Sequence, residues 1–291
     1  MLRYLSFVFC LCLFAMPVFA QDTAMVEAED NLTELSDEFN DSTTLSNWLM
    51  LTDSEGWWDM LKTADIDTTS AGHLYIEPDT SGWYAEFHGA YLYKEVTGDF
   101  VVTTKLWAKG KESDIATAAW SLTGLMARTQ REGTPETWEP GQENWVFITT
   151  GVADDVTRPV FETKTTVNSA STLRLHPTQS GWVELAMARI GANFVMLARY
   201  EGEAWKIKAR FTREDMPETL QVGLNAYTDW FSRDTEDPVI FNNVQTTDGN
   251  PDLIVLVDYI RFHRPTLPAD FDATKMRSMK ERDVIAALLG E

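Results

Sequence analysis

The side chains that could do chemistry fall into strand-like runs and the loops beside them. In residues 83–93, Tyr84, Glu86 and His88 alternate along one face. Arg128 lies in the run 122–129, Trp145 in 144–150, and Gln221, Asn225 and Tyr227 share a face of 220–228. Trp58 and Trp230 stand in loop-rich, acidic surroundings. Aromatic rings interleaved with hydrogen-bonding groups suit a sugar, which stacks its ring face and satisfies its hydroxyls at the same time. The candidate ligand-binding set is therefore Trp58, Tyr84, His88, Arg128, Trp145, Asn225, Tyr227 and Trp230. Each has a plain structural alternative: Trp145 and Trp57 as core filler, and Arg128 in an ion pair. In DSEGWWDML (53–61), adjacent strand residues would point to opposite faces, so both rings cannot enter one core. One is expected to pack inward and the other to face the groove or a loop, with Trp58 the better ligand candidate. The four histidines, His73, His88, His176 and His263, are scattered without zinc-site spacing. No nucleophile elbow, P-loop or dinucleotide fingerprint occurs.

The elements that must position these groups are short strands. Period-two alternation recurs in 83–93, 100–107, 122–129, 144–150, 182–190, 194–200, 205–211, 220–228 and 253–262. Turn signals such as Thr97-Gly98-Asp99 and Gly191-Ala192-Asn193 separate them. Many strands without intervening helices predict an all-β sandwich, barrel or jelly roll. After Pro265 and Pro268, residues 272–289 carry Met276, Met279, Ile285, Leu288 and Leu289 at helical spacing. That predicts a short C-terminal α-helix, docked on the domain or holding a protein partner.

Taken in order, several segments resemble concanavalin A-like jelly rolls: LSDEFNDSTTLSNW (35–48), GHLYIEP (72–78), VTGDFVVTTKLWAK (96–109) and LTGLMART (122–129). The hairpin GWVELAMARIGANFVMLARYEGEAW (181–205) is similar to that of the domains appended to β-xylosidases; LQVGLNAYT (220–228) and LIVLVDYIRFH (253–263) resemble closing strands. The resemblance covers roughly residues 35–264 and extends more distantly to laminarinase-type β-glucanases. It implies two stacked antiparallel sheets with ligand on the concave one. In resembling glucanases an acid near the opening strand and another on the closing strand hold a structural Ca²⁺. Glu38 and Asp258 stand at comparable positions, and Asp258 falls in the apolar row Ile254, Leu256, Ile260, Phe262. The glucanase catalytic pattern E-x-D-x-x-E is missing: Glu112-Ser113-Asp114 is followed by Thr117 where the second glutamate belongs. Alginate-lyase-like members place an Arg, an amide, a His and a Tyr on the concave sheet, which here would be Arg128, Asn225, His88 and Tyr227, without the local motifs of those lyases.

Composition bounds the class. Residues 1–20 read as a signal peptide ending at Ala20, so the protein is expected to be exported, periplasmic or extracellular. Cys10 and Cys12 lie inside it, which leaves the exported chain without a disulfide. Residues 21–36 carry Asp22, Glu27, Glu29, Asp30 and Glu34 and no base, as in an acidic leader or linker. The jelly roll is expected over 37–264, and a linker and helix over 265–291. No later run is apolar enough for a membrane span. A net charge of −21 argues against nucleic acid and disfavours polyanions, while neutral glycans and Ca²⁺ remain compatible. The reading is an exported carbohydrate-binding jelly roll. A polysaccharide lyase or glycoside hydrolase on the same fold, and an assembly protein acting through 272–289, are the alternatives.

Overall fold

The computed structural model describes residues 32–267 and 271–291. The segments expected to be a signal peptide (1–20) and most of the acidic leader (21–36) lie outside the described residues. Thirteen strands are present among them: β1 (Leu61–Ile66), β2 (Leu74–Pro78), β3 (Ala90–Thr97), β4 (Phe100–Lys109), β5 (Ser121–Arg128), β6 (Trp145–Val152), β7 (Pro159–Val167), β8 (Ala170–Pro177), β9 (Val183–Ile190), β10 (Asn193–Tyr200), β11 (Lys206–Thr212), β12 (Thr219–Tyr227) and β13 (Ile254–His263). Two one-turn helices, α1 (Leu51–Glu55) and α2 (Pro238–Phe241), sit in loops, and α3 (Glu281–Leu289) follows the last strand. Every strand pairing is antiparallel. One sheet runs β1-β2-β13-β4-β9-β10-β11 and the other β3-β12-β5-β6-β7-β8. The expected jelly-roll sandwich is what the chain forms.

Alternation builds its layers. Leu92, Leu125, Ile148, Val222 and Leu224 of the six-stranded sheet meet Leu106, Leu185, Met196, Val255 and Phe262 of the other in one buried core. The outer face of the seven-stranded sheet is covered too. Met276, Val284 and Leu288 bury against Val101, Ala186, Ala188 and Val195, so the apolar side of the C-terminal segment docks on its own domain. Helix geometry is confined to 281–289, with a 3-10 turn at Ala273–Lys275, narrower than the 272–289 expected. The end of the acidic leader also belongs to the fold: Leu32–Leu35 form a 3-10 turn, and Leu32 enters the core. Residues 32–35 thus pack with the domain expected over 37–264.

Two local readings are corrected. Residues 83–89 are not strand. Ala85 takes φ 53°, Tyr84 and Phe87 close a turn, and the strand begins at Ala90, so the shared face inferred for Tyr84, Glu86 and His88 does not exist. In β13 the register slips between Val257 and Tyr259. Asp258 is the extra residue of a bulge, which switches parity. Val255 and Val257 point inward before it, Ile260 and Phe262 after it, and the apolar row containing Asp258 dissolves.

Candidate functional site

The outer face of the six-stranded sheet carries the chemistry. Strand register lays its side chains in rows: Gln221, Arg128, Trp145 and Thr166; then Tyr93, Met126, Phe147, Lys164 and Leu173; then Tyr91, Asn225, Thr149, Glu162 and Leu175. Sequence alternation placed Arg128, Trp145, Asn225 and Tyr227 on one side correctly. It did not show what lies over them.

Two loops, 50–60 and 81–89, form a strap across half of this face. Trp57 and Trp83 bury themselves on the sheet, each 5.3 Å from the His88 ring. Buried Asn242 ties the strap together: its amide oxygen accepts from His88 N (2.9 Å), its amide nitrogen donates to Glu86 O (2.8 Å), and its carbonyl accepts from Trp58 N (3.2 Å). Beneath, Arg128 is fully buried with all five N–H donors used. Nε and Nη2 donate to Glu143 at 3.0 and 2.9 Å, Nη1 and Nη2 to Glu55, and Nη1 also to Gln221 Oε1 at 2.8 Å. His88 Nε2 lies 3.0 Å from Glu143 Oε1, and Arg131 N donates to Glu55 Oε1 at 3.0 Å. Burial opposes the charged form of Glu143, but the Arg128 guanidinium and His88 outweigh it and hold the carboxyl well below the usual glutamate range. Burial likewise works against the Arg128 cation, and the two carboxylates overcome it.

The sign of the pH effect follows. A lowered carboxyl contributes stability above its unfolded value of ~4.3 and loses that contribution as pH falls toward the folded-state value. Glu143→Gln should therefore lower the urea midpoint at pH 7 and flatten its decline below pH ~4. Parallel midpoint-versus-pH curves for the two proteins would contradict this.

The other half of the face is open. A cavity of about 340 Å³ is walled by Trp83, Tyr84, Trp120, Leu173, Trp230 and Phe231, with Lys164, Tyr227 and Asp154 as its polar groups. Gly82 must lack a side chain, because a Cβ there would fall 2.2 Å from the Trp230 ring. Lys164 is almost fully buried in the floor. Its ammonium donates to Trp83 O (2.8 Å), pairs with Glu162 Oε1 (2.9 Å) and faces the rings of Phe147, Tyr227 and Tyr84 at 5.0, 5.6 and 5.7 Å. The Tyr227 hydroxyl donates to Glu162 Oε2. Burial, then the Glu162 charge, push the Tyr227 phenol well above its ordinary value, so it stays a neutral donor. Trp120 Nε1 donates to Asp154 Oδ1 at 2.6 Å, which fixes one rim of the opening.

Of the expected ligand set, Tyr84, Tyr227 and Trp230 line this cavity; His88, Arg128, Trp145 and Asn225 lie buried beneath the strap or the cavity floor. The residues expected to line a concave groove thus divide between a cavity at one end of the face and the buried layer beneath. The lyase quartet is brought onto one face, yet Arg128 is saturated by two glutamates and Gln221 and has no donor left for a substrate carboxylate. Trp57 packs inward and Trp58 is 44% exposed, as the GWW pair required, but Trp58 lies outside the cavity lining. Glu38 and Asp258 each take a protein cation. Glu38 chelates Arg261 at 2.7 Å, and Asp258 pairs with Lys105 at 3.2 Å. Among the described residues no group of three or more His, Cys, Asp or Glu gathers in a way that could hold a metal. Sequence reasoning missed Glu55, Trp83, Trp120, Glu143, Asp154, Glu162 and Lys164. The one legible signal was Glu162 and Lys164 at strand spacing in PVFETKTTV.

Solved structures share this architecture. A functionally unknown protein from Saccharomyces cerevisiae matches with TM-score 0.50 and 14% identity, over 76% of this chain and 98% of that one. A xylan beta-1,4-xylosidase from Bacillus halodurans C-125 matches with TM-score 0.51 and 13% identity, and a Bacteroides ovatus xyloglucan PUL GH43B with TM-score 0.51 and 10% identity. Each covers 79% of this chain, which spans only 39% of those two proteins. The likeness establishes a concanavalin A-like jelly-roll fold. No protein-family model and no curated protein matches the chain. Among the described residues no helix is long and apolar enough to cross a membrane.

Proposed function

We propose that the protein binds a carbohydrate in the aromatic cavity beside the strap, without turning it over. The observation that carries this reading is the cavity itself. Aromatic walls surround a few fixed polar groups, and its volume sits near the lower end of the ~300–1,000 Å³ range of small-molecule sites. Tyr84 (46% exposed) and Phe231 (64% exposed) offer ring surface at the mouth, and Lys164, Tyr227 and Asp154 offer hydrogen bonds to hydroxyls. Two of the similar solved proteins bear names of enzymes or loci that deal with xylan or xyloglucan, which adds weight to a glycan ligand. Catalysis is disfavoured by the state of the carboxylates. Glu162 is held by Lys164 and Tyr227 in the buried floor, and Asp154 bonds Trp120 at the rim, so the cavity does not present a pair of open carboxylates facing each other across a ligand. Export places such a protein where glycans are.

The test is a glycan array with the chain from residue 21 onward, followed by titration of the best hit. Tyr84→Ala and Phe231→Ala, both at exposed positions, should each weaken binding about tenfold, while Trp58→Ala should leave it unchanged. Absence of binding to every neutral glycan would overturn the proposal. Release of reducing or unsaturated ends from the hit would replace it with an enzyme.

A further inference from the structure

We infer that the aromatic cavity is the closed end of a longer trough, and that its ligand is a neutral oligosaccharide held by its chain end. This rests on the glycan-binding reading above and adds the direction, the length and the charge class of the ligand.

On one side the cavity is a dead end. Trp83 is fully buried there, the Trp230 ring lies against Gly82, and beyond them the strap covers the face down to Arg128 and Asn225. No chain could continue that way without displacing buried rings. On the other side a second hollow of about 530 Å³ begins, lined by Asp155, Thr157, Arg158, Val160 and Leu175. Asp154 belongs to the lining of both hollows, so they meet at its side chain.

The floor is continuous as well. Leu173 lies opposite Lys164 and Leu175 opposite Glu162, on the same face of β8, and β8 is the last strand of its sheet. Nothing in the sheet closes the trough past it. Leu175 is 40% exposed there, an apolar surface of the kind the flat side of a sugar covers. Asp154 accepts from Trp120 through Oδ1, and its second carboxylate oxygen is a further acceptor for a sugar hydroxyl. Asp155 in the outer hollow is paired with Arg158 at 3.4 Å, which leaves Asp154 as the acid at the junction; its charge repels uronates and sulfated units there and favours neutral sugars.

The experiment is calorimetric titration with cello-, xylo- and laminari-oligosaccharides of two, four and six units. Tetrasaccharide is expected to bind about tenfold tighter than disaccharide in the preferred series, as a second occupied hollow requires. Shortening the parent polymer should raise the protein bound per unit mass, because ends increase. Thr157→Trp, which fills the outer hollow, should bring the tetrasaccharide down to the affinity of the disaccharide. Leu175→Asn, which removes its apolar floor, should do the same if the first variant folds poorly. Equal affinity for two and four units, or polymer binding that follows mass rather than ends, overturns the inference and leaves the glycan reading standing. No binding in any series overturns the glycan reading itself.

Discussion

Arg128→Met is expected to lose roughly 3–5 kcal/mol of folding stability, the cost of removing one partner from a buried ion pair. The reason is what stays behind. Glu55 and Glu143 face Arg128 with no solvent contact, and the guanidinium supplies four of the bonds that hold them. Methionine fills the volume of the stem but leaves both carboxylates uncompensated. Arg128→Lys should not rescue it, because three donors on a point charge cannot replace five in a fixed fork. Urea denaturation measures the loss, and a double-mutant cycle with Glu143→Gln should return a strong coupling. The strap should loosen as well, and Trp57 and Trp83 fluorescence would report it. A loss below about 1 kcal/mol, the level expected of the half-exposed Arg261–Glu38 pair, would mean that the cluster does not hold the strap down.

This cluster also marks how far the sequence could be read. Strands with one apolar face, such as 100–107, 182–190 and 220–228, were legible because alternation against a core is a local signal. β7 and β8 were not. β7 sets Phe161, Thr163 and Thr165 against Val160, Glu162, Lys164 and Thr166, so neither face looks apolar. Its outer face is buried all the same, by aromatic rings brought from loops distant in sequence. Local alternation cannot see such a partner. The same blindness made 83–89 look like strand: the run alternates aromatic and polar residues, but the pattern serves a turn whose Trp83 and His88 both face the sheet. Arg128 and Tyr227 were placed on the right face for the right reason. Whether Arg128 would meet solvent or a carboxylate depended on Glu55 and Glu143, whose positions no spacing rule fixes, and the partner of Tyr227 was Glu162 on the illegible β7. A single inserted residue at Asp258 moved a carboxylate out of an apolar row, since a bulge leaves no periodic trace in one sequence.

Lys164 gives the sharpest separation of scaffold from site. Lys164→Met alone should cost ~3–5 kcal/mol, because Glu162 would lose its cation partner in an apolar floor and keep only the Tyr227 hydroxyl beside it. Replacing the whole polar floor, Lys164→Met with Glu162→Leu and Tyr227→Phe, should recover most of that stability, since a buried pair exchanged for packed apolar groups is often neutral. The two proteins should then differ in stability and agree in function. Neither should bind the glycan within about tenfold of the natural protein, because in both the cavity has lost the ammonium that would meet a sugar hydroxyl. Thermal or urea unfolding reads the first quantity and calorimetric titration the second. If the triple variant is stable and still binds fully, the Lys164–Glu162–Tyr227 group only props up the aromatic walls, and ligand orientation must come from Asp154 and the rim. If it is stable and has lost binding, the buried lysine is kept despite its desolvation cost because an apolar floor cannot orient a sugar. The near-neutral stability of the triple change would then show that folding alone does not require the charged pair.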